Sequence, residues 1–143
     1  DRENKMKYII ILLTSLLFLS CTGTGYKNYS DIAPQIDNLK KTKIFLYRDM
    51  GLAGSVLLLR LNLNGLDIGE LSEGQMMVAK GKIGRNEIYG DMDGLLGRYV
   101  PYKKFEIKEE ENKYFIINLT NEISEKIEFI ETQKNDWIKA ASD

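Results

Sequence analysis

The sequence contains no histidine, a single cysteine and two prolines. Without histidine there is no Ser-His-Asp or Cys-His catalysis, no His-ligated zinc and no ordinary near-neutral proton shuttle. One cysteine cannot staple a fold, so a disulfide scaffold is excluded. No hydrophobic run reaches the ~20 residues that carry a helix across a bilayer. Charge of one sign is also missing: 20 Lys and Arg face 21 Asp and Glu, for a net charge of −1. The two signs alternate along the chain, which argues against nucleic-acid binding, where several cations must neutralise phosphates together. Lys40, Lys41 and Lys43, and again Lys103 and Lys104, read as solvated flanks of strands. What remains is a chain that is 43% apolar and 29% charged, the composition of one globular domain.

The first segment has a clear address. Tyr8 to Leu19 (YIIILLTSLLFL) is preceded by Lys5 and Lys7 and followed by Ser20 and Cys21. A short positive region, a short apolar core and a small residue before the cut describe a secretory signal peptide, here cleaved after Ser20. Met6 is a natural start, and the five residues before it carry no evident role. Cys21, the sole thiol, sits at the cleavage junction, where a buried core cysteine has no reason to be. FLSC resembles the lipobox of bacterial lipoproteins, with Phe18 where leucine is usual and Ser20 fitting well. The resemblance implies that Cys21 carries a diacylglyceryl group and becomes the new amino terminus. More than one acyl chain gives stable anchoring, so the mature protein is expected on a membrane without spanning it. The expected division is therefore 1–20 signal peptide, 21–42 lipidated cysteine and polar tether, and 43–143 folded domain. No Asp follows the cysteine, which resembles sorting to the outer membrane, facing the periplasm.

Beyond Lys43 the dominant hydrophobic period is 2, which predicts strands. Leu57, Leu59, Leu61 and Leu63 alternate with Arg60 and Asn62, and Asn64-Gly65 supplies the positive φ of a tight hairpin. Further strands are expected at Lys43–Arg48, Leu66–Leu71, Gln75–Ala79, Glu87–Tyr89, Lys104–Lys108, Tyr114–Leu119 and Lys126–Ile130. The acidic run Glu109–Glu111 reads as a hairpin tip between two of them. About seven or eight closely spaced strands predict an all-β fold, a small antiparallel β-sandwich or a small barrel. A short helix over Gln133–Ala141 needs packing to persist. A helical bundle is the rival fold, and the dense glycines oppose it.

Tyr47, Arg48, Gly51, Gly54, Asn64, Gly65, Ile68, Gly69, Leu71 and Gly74 lie in KIFLYRDMGLAGSVLLLRLNLNGLDIGELSEGQ. In that order they resemble the opening of an uncharacterised family of small bacterial lipoproteins. The resemblance implies a compact β-sandwich, similar to the small domains termed PEGA-like, on a lipid anchor. It transfers no catalytic residue and no activity.

Few residues invite chemistry. Tyr47 and Arg48, at a strand end, are candidates for recognition; their structural alternative is an Arg lying over a Tyr ring or pairing with a carboxylate. Asp91-Met92-Asp93-Gly94 suggests a weak divalent-cation site at Asp91 and Asp93, yet the spacing fails the EF-hand pattern at Leu96 and Tyr102. Tyr99, Tyr102, Tyr114 and Trp137 are expected in the core or at its rim. No cofactor and no catalytic group is expected. The favoured expectation is a non-enzymatic, lipid-anchored adaptor of the bacterial cell envelope that recruits a protein or glycan. Two rivals are a periplasmic inhibitor or immunity-type lipoprotein against a toxin or lysozyme-like enzyme, and a carboxylate-based envelope hydrolase.

Overall fold

A computed structural model describes residues 24–37, 42–50, 57–94, 97–120 and 126–143. Nine strands are present among them: β1 (Lys43–Arg48), β2 (Leu59–Leu63), β3 (Leu66–Leu71), β4 (Met76–Lys80), β5 (Gly84–Gly94), β6 (Gly97–Tyr99), β7 (Tyr102–Ile107), β8 (Lys113–Thr120) and β9 (Lys126–Thr132). Two helices flank them, α1 (Tyr29–Ile36) and α2 (Lys134–Ser142).

The strands form two sheets packed as a β-sandwich. Sheet one has the order β4-β1-β8-β9; in sheet two, β3, β2 and β5 are neighbours, and β6 and β7 both pair with the free side of β5. Leu59, Leu61 and Leu63 of β2 are buried against Ile44 and Leu46 of β1 and Phe115 and Ile117 of β8, so alternate residues of both sheets fill the core. The expected hairpin at Asn64-Gly65 is present, with φ of 53° and 83° at the two residues, the left-handed geometry that matches strand twist.

Four features depart from the sequence expectation. Sheet one is mixed, because β1 pairs with β8 in parallel, whereas an antiparallel sandwich was expected. Glu109 and Glu110 do form a turn, with Glu110 at φ 63°, but it passes from β7 in sheet two to β8 in sheet one and makes no hairpin. The expected short strand at Glu87–Tyr89 runs the full length of Gly84–Gly94. Finally, the described part of the expected tether, 24–37, is folded: it contains α1, Thr24 N–H donates to the Glu70 carbonyl at 2.9 Å, and Tyr26 and Met76 exchange backbone hydrogen bonds at 2.7 and 2.8 Å. This amino-terminal segment joins the edge strand β3 of one sheet to the edge strand β4 of the other.

A second apolar cluster lies outside the sandwich. β1 is buried on both faces, with Ile44 and Leu46 turned to the core and Phe45 and Tyr47 turned to the helices. On α1, Ile32 and Ile36 sit four residues apart on one helical face and seal against this outer surface. From α2 comes Trp137, fully buried, its ring 5.8 Å from Phe45 in an edge-on arrangement. Phe45 in turn stacks on Tyr114 at 5.0 Å. The expected carboxy-terminal helix persists because this one aromatic anchors it. Among the described residues, no helix is long and apolar enough to cross a membrane.

Candidate functional site

The two sheets are finished differently. Helices close the outer face of sheet one, while among the described residues nothing closes the outer face of sheet two. Strand alternation decides what that face shows. On β5, Ile88 and Met92 point into the core, so Arg85, Glu87, Tyr89 and Asp91 point out. Register then sets their neighbours: Tyr89 lies opposite Asn62 of β2 and Tyr102 of β7, Glu87 opposite Lys104, and Arg85 opposite Glu106.

Tyr89 and Tyr102 are therefore direct cross-strand partners, 38% and 52% exposed, on a sheet surface otherwise made of charged and amide side chains. The Tyr102 hydroxyl donates to Glu87 Oε2 at 2.7 Å, which fixes the ring and raises the phenol pKa. Lys104 Nζ stands 5.9 Å from the same ring centroid. Asn62 Oδ1, beside Tyr89, is shielded from solvent and has no hydrogen-bond partner among the described residues.

Ion pairs border the tyrosines. Arg60 Nε meets Glu70 Oε1 at 3.0 Å, and Arg98 donates twice to Asp91, at 2.7 and 2.5 Å. The Arg98 fork holds the Asp91 carboxyl below its usual range. At the end of the face nearest the Asn64-Gly65 turn, Lys82, Arg85, Glu87, Lys104 and Glu106 surround an open groove of about 610 Å³. Its floor is internally satisfied. Asn86, 3% exposed, accepts from Asn64 Nδ2 and the Lys82 N–H and donates to the carbonyls of Lys82 and Gly84. Asn64 Oδ1 accepts from the Glu87 N–H, so the pair pins the β2–β3 turn to β5.

The residues singled out by sequence lie elsewhere or serve other ends. Cys21 is outside the described residues. Tyr47 and Arg48 are interior, 7% and 1% exposed, and point to opposite faces of β1, so neither presents a recognition surface and the Arg does not lie over the Tyr. Arg48 donates from Nη1 to the carbonyls of Leu57 at 2.6 Å and Leu71 at 2.7 Å, tying β1 to the start of β2 and the end of β3. Burial pushes its pKa down and that of Tyr47 up. Asp91 serves Arg98 instead of a cation, and no group of three potential metal ligands is found among the described residues. Trp137 and Tyr114 are in the interior as expected and Tyr99 packs at its edge, but Tyr102 faces solvent. The sequence signal for the face is the alternation Glu87-Ile88-Tyr89, in which an apolar residue turned inward forces the tyrosine out.

No protein-family model and no curated protein matches the chain. Among solved structures, the chain is similar to the NMR structure of the protein from Eubacterium rectale, at 12% identity and a TM-score of 0.43, over 68% of this chain and 93% of that one.

Proposed function

We propose that the protein is a lipid-anchored lipoprotein of the bacterial cell envelope, held through Cys21 and facing the periplasm from the outer membrane, whose β-sandwich is a non-enzymatic binding module. The observation that carries the binding role is the asymmetry of the sandwich: helices cover one sheet, and the other keeps an outward face with two exposed tyrosines.

Anchoring adds a geometric consequence. Thr24 is bonded to β3 and stands three positions after Cys21, so a lipid on Cys21 lies within about 11 Å of that point along the chain. The module then rests against the membrane surface by its β3–β4 side, and confinement there raises its effective concentration toward other envelope components.

Intact mass spectrometry of the protein from its native membrane tests the anchor. The expected mass lacks residues 1–20 and carries a diacylglyceryl group, and Cys21→Ser leaves the leader uncleaved. An unmodified soluble species overturns the reading. Capture from solubilised envelope tests the module: a partner retained by the native chain and lost on Tyr89→Ala supports it, and retention by the variant refutes the face.

A further inference from the structure

We infer that the open face of sheet two binds an uncharged polysaccharide, with Tyr89 and Tyr102 as the stacking platform; this deepens the binding-module reading above and rests on it.

Charge balance selects the ligand class. Carboxylates and cations on the face stand side by side: Glu70 with Arg60, Asp91 with Arg98, Glu87 opposite Lys104 and Glu106 opposite Arg85. Asp67, opposite Asn62, and Asp93, opposite Arg98, add further acids, so the face has no excess of cations and offers no attraction to a polyanion or an anionic lipid layer, both of which need one. It is equally ill-suited to the dry centre of a protein interface, where charged side chains are depleted. What it does offer is a dense mixture of donors and acceptors around two aromatic rings.

A sugar chain fits that mixture. Each pyranose has an apolar C–H face that lies on an aromatic ring and a rim of hydroxyls that both donate and accept. Direct cross-strand partners have Cβ atoms about 5 Å apart, so Tyr89 and Tyr102 rise from adjacent points of the face. Tyrosine has two side-chain torsions to restrain, and the Tyr102 bond to Glu87 restrains it before a ligand arrives. Glu87 and Lys104 supply an acceptor and a donor next to Tyr102. The groove beyond Lys104 continues the track, giving an elongated chain more contact than a single sugar would receive.

Calorimetric titration of the full chain in detergent, with N-acetylchitohexaose and cellohexaose as separate probes, tests this. Saturable binding of at least one hexaose is expected, weakened about tenfold or more by Tyr89→Ala and by Tyr102→Ala, retained in Tyr102→Phe, and unchanged in Tyr26→Ala. Fluorescence of the sole, buried Trp137 reports whether each variant stays folded. Amide shifts of the unmutated chain give an independent reading: the bound hexaose should move Asn62, Glu87, Tyr89 and Lys104. No saturation with either probe, binding indifferent to the tyrosines, or shifts confined to another surface overturns the inference. A protein partner captured through Tyr89 with no hexaose bound defeats the polysaccharide while leaving the module reading intact; hexaose binding by an unlipidated native protein defeats the anchor alone.

Discussion

The indole N–H of Trp137 donates to the backbone carbonyl of Phe115 at 3.0 Å, so the last helix is bonded to the middle of sheet one by a side chain that is itself fully buried. Phe115 turns its own ring the other way, edge-on to Phe105 of sheet two at 4.9 Å. One residue of β8 thus links the helical layer to both sheets.

Trp137→Ala is expected to cost about 3–5 kcal/mol, since it removes a large buried aromatic and leaves a void beside Phe45 and Tyr114. Trp137→Phe keeps most of the apolar contact and loses the hydrogen bond, at about 1–2 kcal/mol. Urea unfolding of both variants measures the difference.

Arg48 is expected to act on stability and not on recognition. Arg48→Ala removes the donor shared by the carbonyls of Leu57 and Leu71 and should cost about 2–4 kcal/mol in urea unfolding. Arg48→Lys keeps the charge and a donor for the two carbonyls, loses the second guanidinium nitrogen beside Met92 Sδ, and should fall between. Partner binding per folded molecule should not change in either.

The amino-terminal segment offers a local test. Thr24 Oγ1 accepts from the Glu70 N–H at 3.0 Å, so Thr24→Val strips that amide of its partner. Hydrogen exchange at Glu70 should quicken by about tenfold, the equivalent of one such bond, while amides of β8 stay protected.

Acid should weaken the turn before β8. Glu111 accepts from the Lys108 N–H at 2.7 Å and pairs with Lys113 at 3.0 Å, which holds its carboxyl below the ordinary 4.5. A depressed folded-state pKa contributes stability above the unfolded value, lost as pH falls through the folded one. The thermal midpoint of Glu111→Gln should therefore fall less steeply than that of the native chain between about pH 5 and 3.

Local signals in the sequence found local structure. Leu59, Leu61 and Leu63 alternate with polar residues and announce β2, and Asn64-Gly65 announces its turn. Trp137 among polar residues announces α2. What escaped was set by contacts distant in sequence. α1 is eight residues long with Pro34 inside it, a poor helix by propensity, and it stands because Ile32 and Ile36 find the outer surface of β1. Gly90 looks like a break yet lies mid-strand; a Cβ there would meet Leu59 Cδ1 at 2.7 Å, so bare backbone is required by packing. The open face was half legible: alternation puts Tyr89 outward, but only register brings Tyr102 beside it. Tyr47 and Arg48 misled because an end-of-strand position in the sequence says nothing about which layers cover it.

The parallel pairing of β1 with β8 has a kinetic side. Lys43 and the Asn112 side chain that accepts its N–H are 69 residues apart, and β1 is flanked by two strands that both follow it. Emerging amino end first, the chain cannot seat its earliest strand until most of the later ones have appeared. Non-local pairing of this kind belongs with folding times of milliseconds to seconds. Until β8 arrives, β1, buried along five of its six residues in the finished fold, lacks one of its neighbours and leaves an apolar edge open to self-association.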